Sequence, residues 1–238
     1  VFYYSSHGIV CDITLGSLCT IKFMNQRIFV GIVAFFALVA GIIGAMYIAP
    51  PSHDVKQVQY FQPYPTPRTV APFSLLDTHE APFTEENLKG QWTLLFLGYT
   101  FCPDICPTTM AELNGIYPQL QALDTTHPIK VVFVSVDPKR DTPARLNDYV
   151  RYFNKDFIGL TGEHKDLFPF ARSLGMMYAI AESTDNPNYL VDHSASVVLV
   201  NPTGEVLGRF KPKREIGTLS ISDAQQILAD MPVITSTK

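Results

Sequence analysis

The stretch Tyr99 to Met110, Y-T-F-C-P-D-I-C-P-T-T-M, constrains this chain more than any other. It follows an apolar run, Trp92 to Leu97, that reads as a buried strand. Pro107 suits the start of a helix, where the first residues need no backbone N–H. Cys102 and Cys106 therefore belong to a strand-to-helix junction. A helix N-terminus carries positive partial charge, which lowers the pKa of a nearby thiol and favours thiolate for redox chemistry and soft-metal ligation alike. Four residues apart on one turn, the two sulfurs can converge on a common point. Three intervening residues leave a wider bite than the two of the usual redox motif, with room for a metal ion and without excluding a disulfide.

Around this turn the chain alternates strands and helices. Phe73 to Leu76 and the turn-rich piece to Phe83 suggest a leading hairpin. Thr108 to Leu123 has helical spacing through Met110, Leu113, Ile116, Tyr117 and Leu120. Ile129 to Val136 is the next buried strand. Thr142-Pro143 opens a helix to about Phe153 with Thr142 as cap, and a second helix runs from Lys165 to Leu174, closed by Gly175. Strands at Ser196 to Val200 and Glu205 to Phe210 flank the turn Asn201-Pro202-Thr203-Gly204, and Ser222 to Met231 makes the last helix. A strand, a cysteine-bearing turn into a helix, a parallel strand by crossover, then a helix, an antiparallel hairpin and a final helix is the thioredoxin-like arrangement. The expected fold is α/β, a central mixed sheet flanked by helices.

That fold brings in His193, in L-V-D-H-S-A-S-V-V-L-V, just before the strand at Ser196. The loop entering this strand lies against the cysteine turn, where thioredoxins commonly place a cis-proline, and no proline occurs between Leu190 and Val200. Two thiolates and one imidazole make a three-coordinate soft site suited to cuprous copper, with Asp192 beside it to tune the imidazole. The plain alternative for His193 is a surface loop histidine. Asp104 reads as a solvated turn residue. Asp137, Arg140 and Asp141 read either as a salt-bridged, helix-capping turn or as a docking edge. Met176 and Met177 read as packing, and His79, His127 and His164 as surface.

The chain has 238 residues and a net charge of -4, with no long basic cluster, which excludes nucleic acid as an expected partner. Ile28 to Ile48 carries no charge over twenty-one residues, and about twenty suffice to cross a bilayer, so residues 28–48 read as a single transmembrane anchor. Lys22 and Arg27 precede it, while Pro50, Pro51 and Asp54 follow. The N-terminus is therefore expected in the cytoplasm and the remainder outside. A cleaved signal peptide is the alternative. Residues 1–27 form a short N-terminal segment whose natural start is expected at Met24, leaving His7, Cys11 and Cys19 without a role. Residues 49–72, with Pro63, Pro65 and Pro67 alternating, suit an extended spacer containing a solvated His53. Residues 73–238 form one compact domain.

F-C-P-D-I-C-P, V-S-V-D-P-K-R-D-T-P, F-I-G-L-T-G, L-V-D-H and N-P-T-G-E occur in that order. In combination they resemble the Sco/SenC family of membrane-anchored copper proteins that help assemble cytochrome c oxidase. The resemblance spans roughly Phe73 to Met231. It implies a thioredoxin-like domain outside the bacterial inner membrane, facing the periplasm, or in the mitochondrial intermembrane space. Cys102, Cys106 and His193 match the family's copper ligands. The implied partners are the dinuclear copper centre of oxidase subunit II and a thiol reductant or copper donor protein. The rival reading is a thiol-disulfide oxidoreductase with Cys102 attacking and Cys106 resolving. A third is an anchored binding domain with a structural disulfide.

Overall fold

A computed structural model of the chain describes residues 26–48, with the side chains of 30–44, and residues 58–180, 183–213, 217 and 219–236. Met24, Cys11, Cys19, His7 and His53 lie outside the described residues. The chain divides into two units, 1–55 and 56–238. In the first, helix α1, Gln26–Ile48, occupies the charge-free stretch. Among the described residues no helix is long and apolar enough to cross a membrane.

The second unit is built on strand β4, Trp92–Gly98, all seven residues of which are buried. A strand this apolar has to be covered on both faces, and its period-two alternation assigns the faces. Leu94 and Phe96 point into one core, Leu95 and Leu97 into the other. β4 pairs in parallel with β5, Ile129–Ser135, from Trp92 opposite Ile129 to Gly98 opposite Ser135. The crossover between them is helix α2, Ile105–Gln121, whose Met110, Leu113, Ile116, Tyr117 and Leu120 pack on the first face. Helix α3, Pro143–Phe153, joins that face through Leu146 and Val150, and Thr142 caps it by accepting from the Arg145 N–H at 3.3 Å. Strand β6, Ile158–Thr161, extends the parallel set. Helix α4, His164–Ser173, covers the opposite face with Leu167, Phe170 and Ala171.

The other strands complete a mixed sheet. β2, Leu75–Asp77, and β3, Pro82–Phe83, form the expected hairpin beside β6. β9, Val197–Val200, runs antiparallel to β4, and β10, Glu205–Phe210, follows it. The last helix, Ala224–Ser236, closes the first face with Ile227 and Met231. The fold is thioredoxin-like, a central mixed sheet between helices. A separate two-stranded ribbon, β7 (Tyr178–Ile180) with β8 (Val191–His193), precedes β9.

The expected spacer is corrected over its C-terminal part. Phe61–Thr69 is strand β1, the edge of the sheet, antiparallel to β10 with Phe61 opposite Phe210 and Gln62 opposite Arg209. Alternating prolines lack N–H groups along one edge of a strand only, so the other edge can still pair, provided the strand stays at the sheet's border. Gly208 admits this edge: a Cβ there would lie 2.2 Å from the Gln62 carbonyl oxygen. The entry to β1 is pinned by Asp230 of the last helix, which is buried and accepts from the backbone N–H groups of Gln59, Tyr60 and Phe61 at 3.0, 2.7 and 2.7 Å.

Asp230→Ala leaves three N–H groups without their charged acceptor and should lower the unfolding free energy of the full chain by about 2–4 kcal/mol, read from urea denaturation. A loss below about 0.5 kcal/mol, the range of an ordinary surface change, would mean that other contacts hold β1.

Candidate metal centre

The site forms where β4 ends. The Gly98 carbonyl still accepts from the Val136 N–H at 2.9 Å, and the chain then turns, with the Cys102 N–H donating to the Tyr99 carbonyl at 3.2 Å. Asp141 holds the turn from beneath. Its buried carboxylate accepts from the Thr100 N–H (2.8 Å), the Thr100 hydroxyl (2.6 Å) and the Ser135 hydroxyl (2.6 Å). Burial raises its pKa against the pull of these donors. Helix α2 begins at Ile105, two residues before the proline expected to open it, so Cys106 lies inside the first turn, fully buried, and Cys102 outside it, half-buried.

Gly98 makes room for the buried sulfur. A Cβ at this position would lie 2.6 Å from Cys106 Sγ and 2.5 Å from Phe133 Cε2. Any side chain there has to push the thiol or the ring away.

His193, the last residue of β8, completes the group. Its Nε2 lies 3.4 Å from Cys106 Sγ, and the ligand atoms of Cys102, Cys106 and His193 all lie within 4.8 Å of one another. The His193 Nδ1 faces the Ser194 carbonyl oxygen at 3.3 Å. A carbonyl can only accept, so Nδ1 carries a proton, and Nε2 is the ring nitrogen that faces the sulfurs. Tyr99, buried, meets the imidazole edge-on at 5.9 Å between centroids.

The two thiols are unequal. Cys102 is held well below the ordinary thiol range, first because the Cys106 thiol donates to its thiolate; the His193 ring and the backbone N–H groups of Cys106 and Asp104 add to this against the cost of burial. Cys106 is pushed up for the matching reason, since it gives that hydrogen bond, and by its burial. Two soft sulfurs and an imidazole nitrogen, one thiol already ionised, fit a soft cation such as Cu(I). Binding such an ion requires the Cys106 proton to leave.

A cation–π cluster ties the cysteine turn to the segment leading into His193. The Arg140 guanidinium lies 3.5 Å from the Tyr189 ring centroid and 4.6 Å from that of Phe101, next to Cys102, and donates from Nη1 to the Pro187 carbonyl at 3.0 Å. Asp137 fixes it through Nε at 2.5 Å and accepts from the Tyr189 hydroxyl. Arg145 covers Phe101 at 4.0 Å and donates to the Thr100 hydroxyl at 2.8 Å. Of Asp137, Arg140 and Asp141, the first two form the salt-bridged turn, Asp141 instead holds Thr100 and Ser135, and the helix cap is Thr142.

Other expectations change. Asp192 does not support the imidazole: it is exposed and alternates to the other side of β8, opposite Ala179, and Ser194 takes its expected role. Met176 is buried as expected, but Met177 is 72% exposed. His164 Nδ1 lies 2.9 Å from the Tyr178 hydroxyl, and His127 Nδ1 3.2 Å from the Gly90 carbonyl oxygen, so both have partners away from the sulfurs. His79 and Asp104 are exposed. Gly98, Phe101 and Tyr99 went unsingled in the sequence, although L-G-Y-T-F-C carries the signal: a glycine where strand meets helix, then aromatics flanking a thiol.

The SCO1/SenC family model matches residues 62–227. This chain belongs to the SCO1/SenC family. A Stutzerimonas stutzeri protein named for copper binding is 40% identical over 147 residues, 62% of this chain and 71% of that protein. The human mitochondrial SCO1 homolog is 31% identical over 153 residues, 64% of this chain and 51% of that protein, so the chain spans about half the length of this mitochondrial relative. Among solved structures, Arabidopsis thaliana ScoI with copper bound is 33% identical with a TM-score of 0.57, covering 69% of this chain and 96% of that one. Apo Sco1 from Thermus thermophilus is 29% identical with a TM-score of 0.60, covering 74% and 96%. The family match begins within β1, in agreement with that strand's place in the sheet.

Two measurements follow. With iodoacetamide, Cys102 of the reduced chain should keep reacting as pH falls well below about 8, the ordinary thiol range, while Cys106 reacts only after unfolding. A Cys102 rate falling about tenfold per pH unit from that range would refute the Cys106-to-Cys102 hydrogen bond. Gly98→Ala should cost about 1–3 kcal/mol by overpacking and displace the Cys106 sulfur, seen as faster alkylation of Cys106. Unchanged stability and reactivity would contradict the close approach.

Proposed function

We propose that this chain is a membrane-anchored copper-binding protein. It delivers copper to the dinuclear site of cytochrome c oxidase subunit II during assembly, with Cys102, Cys106 and His193 holding the ion. The observation that carries the reading is the meeting of three soft donors, from a helix turn and a strand end 87 residues apart, with their ligand atoms within 4.8 Å. Copper in the solved Arabidopsis relative and in the name of the Stutzerimonas one supports the metal. The oxidase enters through family membership.

Copper is cargo here. With both cysteines reduced the site offers two sulfurs. Oxidation to the disulfide removes two electrons and the Cys106 proton and takes both sulfurs away as ligands, so redox state and metal affinity are linked. Cys102, ionised and partly exposed, is the sulfur an incoming acceptor meets first; Cys106 and His193 hold from within. The charge-free run Ile28 to Ile48 supports an inner-membrane anchor, with the domain in the periplasm and the N-terminus cytoplasmic. A thiol reductant keeps the pair open in that oxidising compartment.

The inequality of the thiols supports a second reading, a reductase. The Cys102 thiolate attacks a target disulfide, one target sulfur leaves as thiolate, and Cys106 loses its proton, attacks Cys102 and releases the second target thiol.

His193 separates the two. Losing the outer partner of a metal ligand costs 10–100-fold in affinity, so losing the ligand itself in His193→Ala should weaken Cu(I) binding by roughly a hundredfold or more, measured against a chelator. Dithiol oxidation and reduction should continue. Unchanged copper affinity would remove His193 from the site, and normal oxidase assembly in cells carrying the variant would favour the reductase.

A further inference from the structure

Beside the donors lies a cleft of about 830 Å³ whose lining includes both His193 and Lys211. Ile105 and Ser194, next to residues of the metal site, line it, as do Gln62, Arg209 and Lys211. Arg209 is placed there by register, opposite Gln62 of β1 on one side and Val198 of β9 on the other. Lys211 is exposed just past the end of β10. Among the described residues no ion pair engages either cation and no carboxylate lines the cleft.

Isolated surface cations are ordinarily solvated and carry no meaning. Here two converge in one concavity of a chain whose net charge is -4, and the same concavity holds the imidazole that faces the sulfurs. Cations with no ion pair among the described residues attract an anion, and a cleft of this size admits several side chains. We propose that this cleft is the docking groove for an acidic segment of the protein that exchanges copper with the site. The inference rests on the copper-carrier reading and names the recognition chemistry of its partner. Carboxylates of that segment meet Arg209 and Lys211, which sets the partner's register and brings its metal-ligating groups to His193. Charges so placed act on encounter rate and specificity, and salt screens them.

The test uses the full chain in detergent and a fluorescein-labelled hexaglutamate peptide, read by anisotropy. The peptide should bind, with affinity falling about tenfold in Arg209→Gln/Lys211→Gln and about as much when salt rises from about 50 to about 300 mM. Lys211→Gln alone, outside any strand, should show an intermediate loss, while Lys155→Gln, lining a different cavity, should show none. No binding by the natural chain, or equal binding by the double variant with unchanged Cys102 alkylation, overturns the proposal. So does full displacement by about 10 mM inorganic phosphate, which would mark a small-anion site. No copper enters the measurement. A failure of the copper reading appears instead in the His193→Ala titration, and the two failures are separable.

Discussion

The contact on which the rest depends is the 3.4 Å approach of His193 Nε2 to Cys106 Sγ. It joins residues 87 apart in sequence, so neither helix propensity nor turn chemistry can make it; the sheet does, by pairing β4 with β9, the strand that the His193 segment leads into. Each neighbour contributes a part. β4 ends in a glycine that lets the buried sulfur approach the sheet, α2 starts early enough to place that sulfur in its first turn, and β8 ends on the imidazole. Arg140, stacked on Tyr189 and Phe101, then clamps the two approaching segments together.

This construction makes the two cysteines chemically different. The hydrogen bond to Cys102, and burial after it, keep Cys106 protonated, and its proton serves to stabilise the thiolate of Cys102. A symmetric, exposed dithiol would favour rapid oxidation. Here one sulfur is presented and the other reserved, which suits an ion that must be held yet passed on. It suits a resolving thiol equally well. An imidazole nitrogen within ligand distance of both sulfurs has no necessary part in thiol exchange, and it tips the reading toward metal.

Much of this was legible in the chain itself, for identifiable reasons. β4 and β5 are unbroken apolar runs, α3 carries its cap and proline in plain sight, and the cysteine pair sits at a junction that punctuation alone reveals. What escaped shares a physical character. β1 is written in alternating prolines, the composition of a spacer, and becomes a strand only because an edge tolerates missing N–H groups and Gly208 admits it. β6, β7 and β8 are three or four residues long, too short for periodicity to register. Asp192 looked like the imidazole's partner because it adjoins it, but strand alternation turns neighbours to opposite faces. Arg140 acts through rings far away in sequence, and no local pattern announces that.

The most direct test of the central claim is X-ray absorption at the copper edge on the full chain loaded with one Cu(I). Cys102, Cys106 and His193 as joint ligands predict a shell of two sulfurs and one nitrogen, with the nitrogen component lost in His193→Ala. A shell of sulfur alone, the same in both proteins, would contradict it.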